Sequence, residues 1–181
     1  MSHDWARMAD RVLADEPLST EQGLEILRAD DAQLLEILAA AYRVRHRHRG
    51  NRVHLNFLIN AKSGHCGEDC GYCSQSSFSK AEIPTYKLLD AEQILDGARV
   101  AAERRAKTYC TVISGRGPSQ RDFDTITRVV PRIKAQFGLS VCVSPGLLTA
   151  EQAMRLKDCG VDRVIVSKSR WLGPRPEITV Q

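Results

Sequence analysis

The sequence contains few aromatic residues and no long apolar run. Phe, Trp and Tyr together make up 6% of its 181 residues, and no stretch approaches the roughly 18 to 20 consecutive apolar residues of a transmembrane helix. Residues 1–17 also lack the apolar segment and small-residue cleavage site of a secretory signal. We therefore expect no membrane association and a cytoplasmic location.

The sequence also has little excess charge. The formal net charge is +4, and much of the positive excess lies in one run, Arg43 to Arg49. A nucleic-acid-binding surface would spread basic residues among stacking aromatic rings, so we expect no nucleic-acid partner. Because cationic side chains favour the last turn of a helix, the run predicts a solvated helix end.

Residues 1–50 are predicted to form an N-terminal helical segment. Ser19 followed by Gln22 is typical of a capping box that opens a helix. Apolar residues recur at spacings of three and four, and these are Trp5, Met8 and Val12, then Leu34, Leu35, Leu38 and Tyr42.

From residue 51 strands and helices alternate. Strands are predicted at 53–60, 108–114 and 140–144, and the helices between them are predicted to begin at Asp90, near Asp122 and at Thr149. Such alternation predicts an α/β fold with parallel strands, and an open sheet fits it as well as an arc of a barrel. A complete (β/α)8 TIM-type barrel needs about 200 to 250 residues. Residues 51–163 would therefore form about half of one.

Three cysteines follow the first strand at C-x3-C-x2-C spacing, as Cys66, Cys70 and Cys73. Cysteines in a cytosolic chain are usually reduced, and three thiolates leave one metal position open, whereas a closed structural site wants four ligands. The open iron of a [4Fe-4S] cluster can be chelated by S-adenosylmethionine. A zinc knuckle with His65 or Cys110 as fourth ligand, in a non-catalytic module, is the alternative.

The sequence around these cysteines resembles the biotin synthase family of radical S-adenosylmethionine enzymes. The likeness covers about residues 1–163 and includes NAKSGHCGEDCGYCSQSS at 60–77, then TYC, SGRGP, VCVSPGLL and CGVDR. It implies that the three cysteines hold the [4Fe-4S] cluster. It also implies that Tyr72 lies against the adenine of S-adenosylmethionine, and that Ser114 and Gly115 line its methionine end. Gly67 departs from the family, which usually has proline there.

Cys110 and Cys142 lie near the middle of consecutive predicted strands, where a parallel sheet can place both thiols on one face. From burial statistics alone each is a small buried hydrophobe. The resemblance implies instead that they bind a second, [2Fe-2S] cluster, the sulfur donor. The family takes its remaining ligands, a cysteine and an arginine, from later strands that have no counterpart here. Cys159 matches no family ligand and is expected to be structural.

The activity implied by the resemblance is conversion of dethiobiotin to biotin by radical-mediated sulfur insertion, in a homodimer reduced by a flavodoxin or ferredoxin system. A sister radical enzyme, such as a hydrogenase maturase, uses the same loop and remains the second possibility. The Cys110 and Cys142 pair favours the first.

The likeness ends after Arg163. VIVSKSR could form a fourth strand, but the rest of residues 164–181 contains two prolines and no helical period. We interpret this tail as the product of a shifted reading frame, with a genuine short protein as the alternative. The chain as written is expected to bind the [4Fe-4S] cluster without closing the biotin ring.

Overall fold

A computed structural model describes residues 4–70 and 72–166. The chain divides into two compact units, Met1–Val53 and His54–Gln181. Most of the predicted tail, residues 167–181, lies outside the described residues. In the described ranges, none of the helices combines the length and the apolar character that crossing a membrane requires.

The first unit is helical, as predicted. It consists of α1 (Trp5–Leu13), α2 (Thr20–Leu27), a 3₁₀ turn (Asp31–Gln33) and α3 (Leu34–Arg49). The capping box of α2 is present, since Ser19 and Gln22 exchange hydrogen bonds between side chain and backbone. The basic run is the last turn of α3, where His46 to Arg49 precede Gly50.

The face that α3 buries differs from the one its sequence suggests. Leu35 is 79% exposed, and Leu34, Leu38 and Tyr42 are also exposed. An apolar cavity beside α1 is instead lined from α3 by Ile37, Ala40, Ala41 and Val44. Arg43 reinforces this pairing through an ion pair to Asp10. The helical period was therefore correct, but the face of α3 that packs toward α1 is centred on Ile37, Ala40 and Val44.

The second unit is a four-stranded parallel sheet with helices between its strands. Its elements are β1 (Asn56–Lys62), α4 (Ala91–Glu103), β2 (Thr108–Ile113), α5 (Gln120–Phe137), β3 (Ser140–Ser144), α6 (Ala150–Asp158) and β4 (Arg163–Val164). The strand order is β1-β2-β3-β4, each strand pairing with the next in the chain. A doubly wound sheet reverses its order at a switch point, whereas a barrel does not. The sheet is therefore an arc of a (β/α) barrel.

The core lies between the sheet and its helices. Tyr109 and Val141 of the strands pack with Ile94 of α4 and with Phe123 and Ile126 of α5, and all five are almost fully buried. The Tyr109 hydroxyl donates to the Ile94 carbonyl at 2.9 Å, so its polar end is satisfied inside the core.

Two boundaries differ from the predicted ones for local reasons. β1 begins at Asn56 rather than residue 53 and continues to Lys62, because its pairing with β2 starts where Asn56 meets Thr108. α5 begins at Gln120, since the Ser119 hydroxyl accepts from the Asp122 N–H and caps the helix. β3 and the capping boxes of α4 and α6 match their predicted places.

Candidate cluster site

The three cysteines of the loop after β1 line one cavity of about 270 Å³. The cavity lies at the carboxyl ends of β2 and β3, the end where barrels of this type place their active sites. Tyr72, Ser114 and Gly115 line it as well. The structure thus brings together all six residues that the sequence and its resemblance assigned to the first cluster and to S-adenosylmethionine.

The turn into the loop is made by two residues with positive φ. Gly64 has a φ of 80° and His65 a φ of 55°, and only glycine adopts such a conformation without strain. Cys66 then follows with its backbone fully paired: its N–H donates to the Gln75 carbonyl at 3.0 Å, and its carbonyl accepts from the Ser77 N–H at 2.8 Å. The first cysteine is therefore held by the loop itself.

Contacts from the sheet and from residue 86 fix the start of the loop. The Ser114 hydroxyl, at the end of β2, donates to the Gly64 carbonyl at 2.7 Å. Ser63 and Tyr86 exchange two backbone hydrogen bonds of 3.1 Å each. Ser114 thus has a structural contact in addition to its place in the cavity wall, and that contact ties the cysteine loop to β2.

The three thiols of the loop form a donor set that an iron–sulfur cluster can use. Among the described residues, no three His, Cys, Asp or Glu side chains are grouped so that they could hold one metal ion. The cysteines of an iron–sulfur cluster bind different irons and need not converge on one atom, and thiolates are the ligands such clusters use. All three thiols are free and lie around one cavity, so this donor set fits the cluster.

The predicted alternative, a zinc knuckle, receives no support from the position of its fourth ligand. His65 is exposed and lines a separate groove with Ser74, Ser79 and Thr85. Cys110 lies in the sheet and is absent from the cavity wall. Neither residue therefore lines the cavity that the three loop cysteines share.

A bulge at the end of β1 directs Lys62 toward the helix layer. Asn60 pairs with Val112 and Lys62 with Ile113, which leaves Ala61 as the extra residue. The Lys62 ammonium donates to the Asp122 carboxylate of α5 at 2.8 Å. Burial raises the pKa of Asp122, but the hydrogen bonds from Lys62 and Ser119 outweigh it and leave the pKa below its usual value.

The second pair of cysteines occupies one row of the sheet. Cys110 of β2 is the register partner of Cys142 of β3, which in turn pairs with Arg163 of β4. Both thiols are buried. Burial, together with the neighbouring Cys142 thiol, raises the pKa of Cys110 to about 12. The structure thus places these two thiols side by side on one face, as the sequence predicted.

Close backbone contact joins the loops after β2 and β3 at the cavity. The Leu147 N–H donates to the Arg116 carbonyl at 2.7 Å. A Cβ on Gly146 would lie 2.5 Å from that carbonyl oxygen, so only glycine fits there. The Arg116 side chain reaches Glu68 of the cysteine loop at 3.3 Å. Three loops therefore meet around the cavity.

Comparison with known proteins identifies the family. The superfamily described as Radical SAM matches residues 61–167, more than half of the chain and all of the cysteine loop. The chain belongs to the radical SAM superfamily. Membership implies an iron–sulfur cluster and S-adenosylmethionine as cofactors of this radical SAM chain.

Comparison with curated relatives shows a more specific likeness, to biotin synthases. This radical SAM chain is 51% identical over 157 residues to the biotin synthase of Rhodopirellula baltica, covering 87% of the chain and 44% of the relative. It is 51% identical over 160 residues to that of Geobacillus kaustophilus, covering 88% and 48%. Identity to the Bacillus subtilis biotin synthase is 47% over 161 residues, covering 89% and 48%. The chain spans about half the length of these relatives.

Solved structures agree in fold. Methylornithine synthase superimposes with a TM-score of 0.72 at 23% identity, over 86% of this chain and 45% of that one. A maturase of the [FeFe]-hydrogenase superimposes with a TM-score of 0.67 at 20% identity, over 87% of this chain and 35% of that one. These likenesses support the barrel arc and say nothing about the substrate.

Several residues that shape the radical SAM site were not identified from the sequence. Gln75 hydrogen-bonds to Gly64, 11 positions earlier in the chain, and Asp122 to Lys62, 60 positions earlier. At such separations no local sequence pattern indicates which residues will meet. Arg116 and Glu68 have opposite charge, but their loops meet only in the folded sheet. Ser119 is a recognisable helix cap, and it could have indicated that α5 begins at Gln120 rather than near Asp122.

Proposed function

We propose that Cys66, Cys70 and Cys73 bind a [4Fe-4S] cluster and that the cavity beside them binds S-adenosylmethionine, as the initiating half of a biotin synthase. The observation that supports this most directly is the cavity itself, which the three thiols share with Tyr72, Ser114 and Gly115. The high identity to biotin synthases from several bacteria supports the substrate assignment.

Each chain residue has a distinct task in this proposal. The three thiolates leave one iron open to the amino and carboxylate groups of S-adenosylmethionine. Tyr72 offers its ring to the adenine, and the backbone at Ser114 and Gly115 lies where the methionine end would bind. When bound, the reduced cluster would supply the electron that splits S-adenosylmethionine into methionine and a 5′-deoxyadenosyl radical, which takes hydrogen from dethiobiotin.

Cys110 and Cys142 are proposed as two ligands of the [2Fe-2S] cluster that donates sulfur. Their adjacent places in the sheet, in one row with Arg163 of β4, support this assignment. The remaining ligands would have to come from strands beyond β4, as they do in the resemblance. Ring closure therefore requires more than the described residues provide.

The remaining parts of the proposal rest on the resemblance to the biotin synthase family. The substrate is dethiobiotin, the electron donor is a flavodoxin or ferredoxin system, and the chain acts in the cytoplasm as part of a homodimer.

Anaerobic reconstitution of the chain with iron and sulfide tests the proposal. We expect about four irons on the loop and, after reduction, an electron paramagnetic resonance signal whose g values shift when S-adenosylmethionine is added. Replacing Cys66, Cys70 and Cys73 together by serine should abolish that signal, whereas Cys159→Ser should retain it, because Cys159 caps the end of α6 and its thiol donates to the Leu156 carbonyl. Zinc binding without iron would contradict the proposal.

A further inference from the structure

We propose that Gln75 is a positioning residue that holds Cys66 in its ligand orientation before any metal binds. The inference rests on the proposed function, because it assumes that Cys66 is a cluster ligand. Gln75 is half-buried and lines the same cavity as the three cysteines. Its backbone carbonyl accepts from Cys66, and its side chain accepts from Ser63 and Gly64, which precede Cys66 in the loop.

The backbone of Gln75 takes part in a short stretch of pairing with the backbone of Cys66. Its carbonyl accepts from the Cys66 N–H at 3.0 Å, and Ser77 donates to the Cys66 carbonyl at 2.8 Å. Cys66 and Ser76 form an isolated parallel bridge at this point. These contacts fix the backbone of Cys66 relative to residues 75–77, which follow the third cysteine.

The Gln75 side chain reaches the start of the loop. Its Oε1 accepts from the Ser63 hydroxyl at 3.0 Å and from the Gly64 N–H at 2.5 Å. Both donors belong to buried residues, so each needs a partner inside the protein. Gln75 therefore connects the beginning and the end of the loop and closes it into a ring.

The closure lies at a turn whose backbone conformation most residues do not favour. Gly64 and His65 both have positive φ, and a non-glycine residue keeps that conformation only when its surroundings impose it. The hydrogen bond to the Gly64 N–H is one such restraint. Losing it would let the turn relax and would rotate Cys66 away from the cavity.

The role of the side chain is that of an acceptor, and this distinguishes two substitutions. In Gln75→Glu a carboxylate oxygen can accept the same two hydrogen bonds. In Gln75→Met the shape is similar but the acceptor is lost. Gln93→Met is a matched control, because the Gln93 side chain also accepts a backbone hydrogen bond, from the Asp90 N–H at 3.0 Å in the cap of α4.

The first measurement uses the metal-free chain and follows amide hydrogen exchange. We expect Gln75→Met to speed exchange at Gly64 and Cys66 by about tenfold or more, with Gln75→Glu and Gln93→Met close to the unchanged chain at both amides. Unchanged exchange in Gln75→Met would overturn the proposal, whatever the cluster does.

The second measurement uses the reconstituted chain. We expect Gln75→Met to bind S-adenosylmethionine about tenfold more weakly, as read from the shift of the resonance signal during titration, with the affinity restored in Gln75→Glu. Equal affinity in all variants would overturn the proposal while leaving the cluster assignment intact. Failure of the unchanged chain to bind iron would instead remove the proposed function, and the exchange measurement would still decide the role of Gln75.

Discussion

Two glycines of the cysteine loop differ in what a side chain would meet. At Gly64 the φ is 80° and an added Cβ would lie 2.4 Å from Thr85 Cγ2. At Gly67, the position where the biotin synthase family usually has proline, an added Cβ meets nothing within 4 Å, and the φ lies outside the left-handed region. The restricted conformation of one glycine and the open surroundings of the other predict opposite effects of the same substitution.

Gly67→Ala is therefore expected to raise the free energy of unfolding by about 0.5 kcal/mol, because alanine restricts the unfolded chain. Gly64→Ala is expected to lower it by about 2 kcal/mol through strain and the Thr85 contact. Urea unfolding of the metal-free chain measures both. A loss of stability in Gly67→Ala comparable to that in Gly64→Ala would show that the loop differs from the structure described here.

At the scale of residues, spacing along the chain was enough to find the cysteines and was insufficient to find what orients them. Cys66, Cys70 and Cys73 are close in sequence, and their pattern alone indicated a shared site. The Gln75 and Asp122 contacts depend on how the loop folds back and on where the start of α5 lies relative to the end of β1. Such contacts arise from tertiary structure, which no local pattern specifies.

α4 begins at a cap whose first residue, Asp90, was predicted from the sequence. Asp90 accepts from the Gln93 N–H at 2.8 Å at the start of α4, whose Ile94 and Ala98 are fully buried in the core. Loss of the cap would therefore weaken a helix on which the packing of β1 and β2 depends.

We expect Asp90→Ala to lower the free energy of unfolding by about 1 kcal/mol, the usual effect of losing an N-cap. Glu92→Ala serves as the control, since Glu92 is exposed and its ion pair with Arg132 lies on the surface, where such pairs contribute little. Thermal unfolding of the two variants decides the matter. Equal losses would mean that charge near the helix start, rather than the cap, stabilises α4.

The ion pair between Lys62 and Asp122 joins the end of β1 to the start of α5 and depends on pH. The Asp122 side chain is 11% exposed and that of Lys62 is 30% exposed. The pKa of Asp122 is lowered in the folded chain despite its burial, because Lys62 and Ser119 stabilise the carboxylate. Its contribution to stability is therefore present above the unfolded pKa of about 4 and is lost as the pH falls through the folded pKa.

Asp122→Asn is accordingly expected to lower the free energy of unfolding by about 1 to 2 kcal/mol at pH 7, and the difference from the unchanged chain should shrink as the pH falls below about 4. Urea unfolding across this range makes the comparison. A difference that stays constant with pH would show that the loss comes from packing rather than from the charge.

At the scale of elements, the type and order of the helices and strands were predictable from the sequence, whereas the pairing of the strands in the sheet was not. The alternation of strands and helices predicted a parallel α/β fold, and two predicted capping boxes together with a predicted Asp90 cap set the helix starts correctly at α2, α6 and α4. Periodicity could not choose between a barrel arc and an open sheet, because both bury the same alternating elements. Only the strand order of the folded sheet separates them.

At the scale of the molecule, one face of the sheet combines buried thiols with an exposed leucine. Leu58, Cys110, Cys142 and Arg163 are register partners across the four strands. Leu58 is 58% exposed, and within the described residues β1 pairs only with β2. An apolar side chain on a strand with an unpaired edge is a site at which copies of a chain associate.

The chain is therefore expected to form concentration-dependent oligomers, and Leu58→Lys is expected to suppress them because a charge on an edge strand opposes pairing with a second copy. Since Leu58 is already exposed, the free energy of unfolding should change by less than about 0.5 kcal/mol. Leu35→Lys is the matched control, because Leu35 is also exposed but lies on α3. Sedimentation velocity over a range of concentrations measures the effect, and equal suppression by Leu35→Lys would move the association surface from the sheet to the helical unit.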